Sequence, residues 1–594
     1  MKTTQPIIEL LRRLWHHISP RRRRQFGLLL VLTIVASFFE VLSIGAVLPF
    51  LAVLTAPNRV FEHPASQQFI HAVGIQSAEQ LLLPITVVFT MAAILAGIIR
   101  LLMTWASSRL SFMAGADLSV SVYLRTLYQS YEIHIARNSS EVIDGVYYKA
   151  VTVIFNVILP SLTIISSIVM MSMIMIALLA INPLIAFATF AGFGSIYFII
   201  IRFTRKKLLL DSILVSAESA RVIKSLQEGL GGIRDVLIDG TQPVFCKIFQ
   251  DAEFSMRRAQ ANSNFIGQSP RFGMEALGMA LIAWLAYPLA QSSNGILTAV
   301  PVLGALALGA QRMLPVFQSA YASWVSIQGG RAHLQDILAI LDQPLPDYVN
   351  QPNRKPLIFK DKIRIKKLSF RYNSEMPLVL KDVDLSIACG SRVGFIGKTG
   401  CGKSTLLDLV MGLLQPTCGG IEIDGQVVTL TNHRAWQAHI AHVPQMVFLA
   451  DTTIEENIAF GVPKNQIDHE RVRHAASQAQ LADTIEAWPL GYETCIGERG
   501  IKLSGGQRQR IGIARALYKE ADVIIFDEAT SALDNETELA VMNAIETLSE
   551  KITILIIAHR LTTLKNCSQI VELSAGRIKG IGSYQDVINK KSGN

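Results

Sequence analysis

Long apolar runs in the N-terminal half are the feature that most limits what this chain can fold into. Phe26–Leu54 is about 29 residues long, more than the ~20 that a helix needs to cross the hydrocarbon core of a bilayer. Half of all residues are hydrophobic and only 17% are charged, which is unusual for a soluble protein. The sequence therefore predicts six transmembrane helices, in the runs Phe26–Leu54, Leu81–Trp105, Asn156–Ala180, Pro183–Ile201, Phe272–Ala290 and Ile296–Phe317.

Basic residues beside these runs predict the orientation of the helices. Arg21–Arg24 precede the first run, and Arg202, Arg205, Lys206 and Lys207 follow the fourth. Because basic loops stay on the cytoplasmic side, we expect a cytoplasmic N-terminus, and the first run is too long for a cleavable signal peptide. An arm that binds nucleic acid or lipid is the alternative for the arginines. The net charge of +9 is not gathered into a stripe with aromatics, so we expect no nucleic-acid partner.

Polar stretches and a linker divide the chain into domains. Ser107–Ala150 and Thr204–Gly267 have helical patterning and too many charges for lipid, so we expect them to extend the spans into the cytosol. Candidate turns within them are Ala136–Asp144 and Gly229–Asp239. Asp342–Pro356 is rich in proline and polar residues, as linkers are. The predicted division is a transmembrane domain at 1–335, a linker at 336–360 and a nucleotide-binding domain at 361–594.

The six cysteines predict reduced thiols rather than a disulfide framework. They are Cys246, Cys389, Cys401, Cys418, Cys495 and Cys567. None lies in a segment that we place outside the cell, and disulfides persist mainly in oxidising compartments. A pairing of Cys495 with Cys567 is the alternative.

Gly397–Ser404 (GKTGCGKS) has the G-x-x-x-x-G-K-S spacing of a phosphate-binding loop. A predicted strand, Arg392–Ile396, comes before it and a predicted helix, Gly402–Met411, follows. A glycine-rich turn that opens a helix offers bare N–H groups and the positive end of the helix dipole to phosphate oxygens. Lys403 would add charge at the β- and γ-phosphates, and the Ser404 hydroxyl would ligate Mg²⁺. The sequence therefore predicts ATP and Mg²⁺ as cofactors.

Two later motifs complete a family pattern. Leu503–Gln509 (LSGGQRQ) lies about a hundred residues downstream, and the apolar run Val523–Phe526 then ends in Asp527 and Glu528. Three such motifs in this order resemble the ATP-binding cassette family of ATPases, whose members use ATP to drive an attached machine. The resemblance implies an all-α six-span transmembrane domain followed by an α/β P-loop ATPase domain. In Ile363–Val587 the resemblance rests on specific sequence motifs. In the first 335 residues it rests on the architecture alone.

The resemblance also implies roles for individual residues. Asp527 ends a buried strand and would hold Mg²⁺ through water, while Glu528 would activate the attacking water as general base. His559 resembles the histidine that contacts the γ-phosphate, and Gln445 resembles the glutamine that senses Mg²⁺ and the water. Tyr372 occupies the place of the aromatic that stacks on adenine, although a strand-end tyrosine is ordinarily part of a core or rim. The implied catalytic residues are Glu528, His559 and Gln445; the metal ligands Ser404, Gln445 and Asp527; the nucleotide contacts Tyr372, Gly397, Thr399, Gly400, Cys401, Gly402, Lys403, Ser404, Thr405, Ser504, Gly505, Gly506, Gln507 and Asp534. Cys401 stands where the family usually has serine or a similar small residue.

The LSGGQRQ motif implies a second copy of the chain. In the family, residues matching Ser504 and Gly506 close over ATP held by another cassette, and only one cassette is present here. The resemblance thus implies a homodimer with two composite ATP sites. Gly497–Gly500 (GERG) resembles an exporter-type loop. One cassette fused behind a membrane domain is typical of an exporter half-transporter in the bacterial inner membrane, with the ATPase domain in the cytoplasm.

Ionisable residues within the predicted spans are the candidate substrate contacts, since such residues are costly in lipid. Arg100 and Arg271 could instead reach the interface, and Arg312 could pair with Glu40 structurally. Ser37–Gly45 with Leu48–Phe50 resembles the opening helix of bacterial flippases for lipid-linked oligosaccharides. We therefore expect ATP-driven export or flipping of an amphiphile, such as a lipid-linked oligosaccharide or another lipid. A drug or peptide exporter and an ATP-gated channel are alternatives. The candidates are Glu40, Arg100, Arg271, Glu275 and Arg312.

Overall fold

The structure is a computed structural model of one chain, in which two compact units are distinguished. It describes residues 5–46, 50, 53–54, 58, 61–62, 77–181, 183–290, 295–350, 356–529, 535–546, 551–558 and 561–586. The N-terminal unit comprises Met1–Gln129 and Arg137–Leu345, and the C-terminal unit comprises Ser130–Ala136 and Pro346–Asn594.

The N-terminal unit is helical throughout its described elements. Several helices are far longer than a bilayer is thick; Leu82–Leu127, for example, has 46 residues and Pro183–Gly231 has 49. This confirms that the apolar runs continue into polar helical extensions. The helices are Ile7–His17, Pro20–Gly45, Leu82–Leu127, Ser139–Ile143, Ala150–Val153, Leu159–Ile181, Pro183–Gly231, Ile233–Ile238, Gln242–Ala290, Gly295–Gly329 and Arg331–Leu341, with wider π-helical turns at Asp144–Lys149 and Ile154–Ile158.

Three helical stretches among the described residues are long and apolar enough to cross a membrane. They are Pro20–Ser43, Leu82–Leu127 and Ser139–Ala177. The other three predicted spans lie in the helices Pro183–Gly231, Gln242–Ala290 and Gly295–Gly329, whose apolar parts include side chains outside the description. The count of six spans therefore stays a prediction, as does the end of the first run, because Leu48 and Pro49 lie outside the described residues.

The polar extensions turn back at two short helices. Tyr131–Ala136 forms the first, so this turn lies just before the predicted Ala136–Asp144, where the chain is already helical again. Ile233–Ile238 forms the second, within the predicted Gly229–Asp239. The first turn lies earlier in the chain than predicted, because Ser139–Ile143, which was predicted to belong to the turn, is helical.

A buried core joins the polar ends of the helices in the N-terminal unit. Leu10 and Leu14 of the first helix pack with Leu118, Leu334 and Leu338, all under 5% exposed. Arg22, one of the arginines Arg21–Arg24 that precede the first apolar run, donates from Nε to Asp117 Oδ2 at 2.8 Å. One of the arginines that predict the orientation therefore also has a structural partner.

The C-terminal unit contains two β-sheets. The strands are β1 Lys362–Phe370, β2 Leu380–Ala388, β3 Arg392–Ile396, β4 Cys418–Ile423, β5 Gln426–Val427, β6 Ile440–Val443, β7 Val523–Asp527, β8 Thr553–Ile557, β9 Gln569–Ser574 and β10 Arg577–Gly582. One sheet has four strands in the order β2-β1-β4-β5, and the other has six in the order β10-β9-β3-β8-β7-β6. In the second sheet β9, β3, β8, β7 and β6 are parallel, so their carboxyl ends meet at one edge, where α/β folds place ligands.

Helices flank these sheets. The phosphate-loop helix, Lys403–Val410, packs with Leu406 and Leu407 into a core shared by both sheets. The signature helix, Gly505–Tyr518, packs with Ile511 and Ala514 into a second core. The remaining α-helices of this unit are Tyr131–Ala136, His433–Gln437, Ile454–Ile458, His469–Gln478, Ala482–Glu486 and Asn535–Glu546.

Candidate nucleotide site and membrane cavity

The phosphate loop needs glycine at three positions for backbone reasons, since Gly397, Gly400 and Gly402 all have positive φ. Gly397 has φ +150°, and a Cβ there would lie 2.3 Å from the Leu573 carbonyl oxygen. Gly402 has φ +102°, and a Cβ there would lie 2.8 Å from Leu380 Cδ2. Gly402 also caps the phosphate-loop helix without a side chain, which leaves the first N–H groups of that helix open to a ligand. The geometry of this loop therefore suits it as an anion cradle.

Lys403 and Ser404 present their polar ends at this cradle. Lys403 is 7% exposed, and its Nζ donates to the Gly397 oxygen at 2.8 Å and to the Lys398 oxygen at 3.3 Å. The Ser404 hydroxyl donates to Asp527 Oδ1 at 3.4 Å. Ser404 and Asp527 thus form an oxygen pair of the kind that Mg²⁺ binds together with phosphates. Among the described residues, no three His, Cys, Asp or Glu side chains group into a metal site of their own.

Asp527 and Glu528 lie where β7 ends. Burial raises the pKa of Asp527, the Ser404 hydrogen bond lowers it, and the neighbouring Glu528 charge raises it again. Glu528 has φ +51°, a left-handed conformation that side chains other than glycine rarely adopt and that clusters at functional sites. Gln445, two residues past β6, donates from Nε2 to Glu528 Oε2 at 2.7 Å. The fold thus brings together two residues that are 83 positions apart.

Asp408 is a titratable neighbour that sequence reasoning missed. Burial and the Asp527 charge raise its pKa to about 6. Asp408 follows Ser404 by four residues on the phosphate-loop helix, a spacing that puts both on one helix face. That spacing is the signal that could have identified it.

Tyr372, Thr405 and Cys401 lie around the same helix. The Tyr372 hydroxyl is 3.0 Å from Thr405 Oγ1, its ring is edge-on to Phe370, and the side chain is 45% exposed. An exposed ring beside the phosphate loop is available for stacking. The Cys401 side chain is buried, and Thr399 and Gly400 are exposed. All six cysteines are free.

The LSGGQRQ motif begins the signature helix. Ser504 Oγ accepts from the Gln507 N–H at 3.2 Å, and Gln507 Oε1 accepts from the Ser504 N–H at 2.8 Å. This reciprocal cap fixes both side chains at the helix start, beside Gly505 and Gly506. His559 and Asp534 lie outside the described residues, as do residues 530–533.

A cavity of about 720 Å³ lies between helices of the N-terminal unit, and it holds two of the five predicted substrate residues. Glu40 and Arg100 line it and form an ion pair at 3.2 Å. Arg23 and Trp15 belong to the same lining, together with serine, threonine and apolar side chains. The cavity is therefore amphiphilic.

Of the other three predicted substrate residues, Arg271 and Glu275 do not line this cavity. Arg271 and Glu275 pair with each other at 2.8 Å along one helix. The Arg312 side chain is not among those that the structure describes, so its pairing with Glu40 stays a prediction. Glu40 has its partner in Arg100, a pairing that sequence reasoning did not foresee.

Comparisons with known proteins agree with this architecture. The family model for ABC transporters matches residues 380–531. An ATP-dependent lipid A-core flippase of Thiobacillus denitrificans is 34% identical over 62% of this chain and 63% of its own length. A protein of the same name from Cupriavidus metallidurans is 35% identical over 61% of each chain. The chain thus spans about three fifths of the length of these two relatives.

Wider coverage comes from a third relative and a solved structure. The ATP-dependent lipid A-core flippase of Chromohalobacter salexigens is 32% identical over 66% of this chain and 67% of its own length. A structure described as a bacterial Atm1-family ABC exporter with ATP bound covers 96% of both chains with a TM-score of 0.77 and 23% identity, which shows the same fold. On this coverage and on the helical and α/β units described above, the chain belongs to the ABC transporter family, as a membrane protein with a nucleotide-binding domain.

Proposed function

We propose that this chain is one half of a homodimeric, ATP-driven exporter or flippase. Its transport domain would be residues 1–335, joined by a linker at 336–360 to an ATPase domain at 361–594. The observation that carries the proposal is the convergence on the phosphate loop of Asp527, which accepts from Ser404, and Glu528, which accepts from Gln445. Residues from three separate sequence motifs thus meet where a triphosphate would bind.

Nucleotide binding would use the groups already in place. Lys403 would exchange its carbonyl partners for the β- and γ-phosphates, and Tyr372 would stack on the adenine. Mg²⁺ bound with ATP would neutralise charge on the phosphates, and Ser404, Asp527 and Gln445 would hold it. The open space at Gly400, where a Cβ would meet no atom within 4 Å, leaves room for the phosphates to approach the backbone.

Hydrolysis would use Glu528 as the general base. A water oxygen bonds to the γ-phosphorus while the bond from that phosphorus to the bridging oxygen of ADP breaks, and the proton of the water passes to Glu528. Gln445 would hold the carboxylate through the 2.7 Å hydrogen bond. His559 would contact the γ-phosphate, as its place after β8 suggests. The products are ADP and inorganic phosphate.

A second copy of the chain would complete each ATP site. The reciprocal cap of Ser504 and Gln507 fixes the start of the signature helix, where Ser504 and Gly506 would face a partner's nucleotide. Exposed apolar side chains give further support, because large exposed apolar patches mark interaction surfaces. Leu230, Leu237 and Ile238 are at least 60% exposed at the second turn of the N-terminal unit.

The cavity supports an amphiphile with an anionic head group as substrate. Arg100 is 68% exposed at its side chain, while its partner Glu40 is 24% exposed, so an incoming phosphate can compete for the guanidinium. Relatives named lipid A-core flippases favour a lipid over a drug or peptide. We place the protein in the bacterial inner membrane with the N-terminus and ATPase domain in the cytoplasm, as the basic residues beside the spans indicate. Binding of two ATP would turn the cavity outward, and hydrolysis would reset it.

The test is the ATPase rate in liposomes with and without a polyprenyl-diphosphate-linked oligosaccharide. Stimulation is expected in the wild type and should be lost in Arg100→Gln, because the variant removes the charge that would bind the diphosphate. Arg271→Gln is the matched control, since Arg271 does not line the cavity and pairs along its own helix. Arg312→Ala tests the remaining candidate.

The outcomes separate the alternatives. An active ATPase without stimulation by the lipid contradicts the anionic amphiphile and favours a drug or peptide exporter. Equal loss in Arg100→Gln and Arg271→Gln contradicts the cavity as the substrate site. Ion conductance that persists without ATP turnover favours a channel.

A further inference from the structure

We infer that Arg515 is a positioning residue that fastens the loop carrying Gln445 to the signature helix, so that the base of one ATP site moves with the helix that closes the other. The loop is residues 445–450, called the Gln445 loop below. The link itself is read from the structure, and its consequence for two sites rests on the proposed function.

The guanidinium of Arg515 bridges two segments far apart in sequence. It projects from the signature helix, and its Nη1 donates to the Phe448 carbonyl oxygen at 3.0 Å. Its Nε donates to the Asn457 carbonyl oxygen at 2.9 Å, and Nη2 lies 3.5 Å from Asn457 Oδ1. The planar fork of arginine fits this set of acceptors, whereas the ammonium of lysine would reach one of them at a time.

The partners of Arg515 point to positioning rather than to charge neutralisation. All three acceptors are amide oxygens, and the ring of Phe460 lies 4.4 Å from the guanidinium carbon. Burial in these surroundings lowers the pKa of Arg515 to about 10. A half-buried cation held by backbone carbonyls fixes the course of that backbone.

Asn457 ties the far end of the loop into the same network. The residue is fully buried, and its Nδ2 donates to the Ala450 and Thr453 carbonyl oxygens, each at 3.0 Å. Its Oδ1 accepts from the Ala450 N–H at 2.9 Å. The end of the Gln445 loop is therefore bonded to Asn457, and Asn457 is bonded to Arg515.

Close packing adds a second fastening between loop and helix. Gly512, one turn before Arg515, faces Val447; a Cβ at Gly512 would lie 2.6 Å from Val447 Cγ2. Leu449 is 1% exposed and sits against Gly500, where a Cβ would lie 2.7 Å from Leu449 Cδ1. Val447 thus packs closely against the signature helix, and Leu449 packs against the turn that precedes this helix. Both contacts leave the loop little freedom to slide past the helix.

The consequence depends on the residues at the two ends of the linked pair formed by the Gln445 loop and the signature helix. At one end Gln445 holds the Glu528 carboxylate at 2.7 Å, and at the other Ser504 caps the signature helix. In the proposed dimer, Glu528 serves the ATP of its own chain and Ser504 closes over the ATP of the partner. A shift of the signature helix at one site is therefore passed to the base of the other site through Arg515.

The test compares Arg515→Lys with Arg510→Lys in the full-length dimer. Arg510 lies on the same helix and also donates to a carbonyl, that of Gln480 at 2.6 Å, but this carbonyl is not in the Gln445 loop. Hydrogen–deuterium exchange without nucleotide reads the link directly. We expect peptides covering 445–452 to exchange about fivefold faster in Arg515→Lys and to stay near wild type in Arg510→Lys.

Steady-state ATP hydrolysis then reads the consequence. For Arg515→Lys we expect kcat to fall by about tenfold and the KM for ATP to change by less than about twofold, because the phosphate loop is untouched while the base is no longer held. A purely structural role would lower the melting temperature and raise KM without this separation. Gly512→Ala, which pushes Val447 away without changing charge, should reproduce the loss of kcat.

Each result decides the inference. Unchanged exchange of 445–452 in Arg515→Lys overturns the link, and faster exchange with unchanged kcat overturns its role in catalysis. Equal effects in Arg510→Lys also overturn it. A wild-type protein without ATPase activity contradicts the proposed function instead, while the exchange experiment still decides whether the link exists.

Discussion

At the residue scale, Glu528 combines a left-handed backbone conformation with a hydrogen bond from Gln445. Its φ is +51° at the residue directly after β7, and Gln445 donates a hydrogen bond to its carboxylate. Backbone strain of this kind persists only where the surrounding structure holds the residue in its conformation. Asp527, one residue earlier, stays in the regular strand and faces Ser404 instead. Two adjacent acids thus have separate partners, which supports separate roles.

Replacing Glu528 by glutamine should separate binding from turnover. Glutamine keeps an oxygen that Gln445 can donate to, but it cannot accept a proton at neutral pH. We expect Glu528→Gln to bind ATP with nearly wild-type affinity and to hydrolyse it at least ~100-fold more slowly. The measurement is nucleotide binding beside phosphate release. Undiminished hydrolysis would contradict the role as base, and lost binding would point to a folding defect.

Asp408 predicts a pH-dependent stability difference. Its pKa is raised in the folded chain to about 6, so the folded state binds this proton more tightly than the unfolded state. Ionising it therefore destabilises the fold as pH rises from about 4 to 6, and the penalty is complete above that range. Because Asp408 is only partly buried, we expect about 1 kcal/mol after solvent screening.

Asp408→Asn removes that penalty. The variant should melt a few degrees higher than wild type at pH 7.5, and the difference should vanish near pH 4, where both side chains are neutral. Thermal unfolding in detergent at both pH values measures this. A gain that is equal at pH 4 and 7.5 would mean that ionisation of Asp408 is not the cause.

At the element scale, helix packing in the N-terminal unit depends on single glycines. Gly115 of the helix Leu82–Leu127 lies against the π-helical turn Ile154–Ile158, and a Cβ there would be 2.1 Å from Ile154 Cδ1. Gly97, on the same helix, would meet nothing within 4 Å. The two positions have the same residue and secondary structure but differ in contact.

This difference makes a matched pair of variants. Gly115→Ala should destabilise the protein by about 1–3 kcal/mol, because the overpacked Ile154 must move. Gly97→Ala should leave the melting temperature unchanged or slightly raised, since alanine favours helix. Melting curves in detergent test both. Equal stability of the two variants would contradict the close packing at Gly115.

Some secondary-structure elements could be predicted from the local sequence pattern, whereas others depend on tertiary packing. Predicted and observed strands agree in β3, which begins at Arg392 and ends at Ile396 in both. The turn at Tyr131–Ala136 was placed too late. The hydrophobic pattern of Ser139–Ile143 does not show on its own that this segment resumes a helix, because that depends on its packing against Pro183–Gly231.

At the scale of the whole molecule, the proposed homodimer predicts complementation. A chain with Lys403→Ala lacks its own phosphate-loop charge, and a chain with Ser504→Arg blocks the partner's site. Each variant alone should be inactive. A one-to-one mixture refolded or co-expressed should regain about a quarter of wild-type ATPase activity, because half of the dimers are mixed and each has one intact site.

The control is the double variant on one chain mixed with an inactive chain carrying Lys403→Ala. Every composite site in that mixture lacks an intact phosphate loop, so no activity should return. Recovery in this control, or none in the complementing mixture despite mixed dimers, would contradict shared sites.

What the sequence by itself determined is whatever depends on neighbours along the chain. The phosphate loop, the LSGGQRQ motif and the Asp527–Glu528 pair are contiguous, and the first three apolar runs reveal themselves by length alone. Those features were sufficient for the family and for the α/β class of the second unit. Only the tertiary structure decided which distant groups meet: Gln445 with Glu528, Arg515 with the Phe448 carbonyl, and Arg100 with Glu40. It also decided the raised pKa of Asp408. Hydrogen bonds and desolvation act over a few ångströms in space, and the packing of the whole chain brings those few ångströms about.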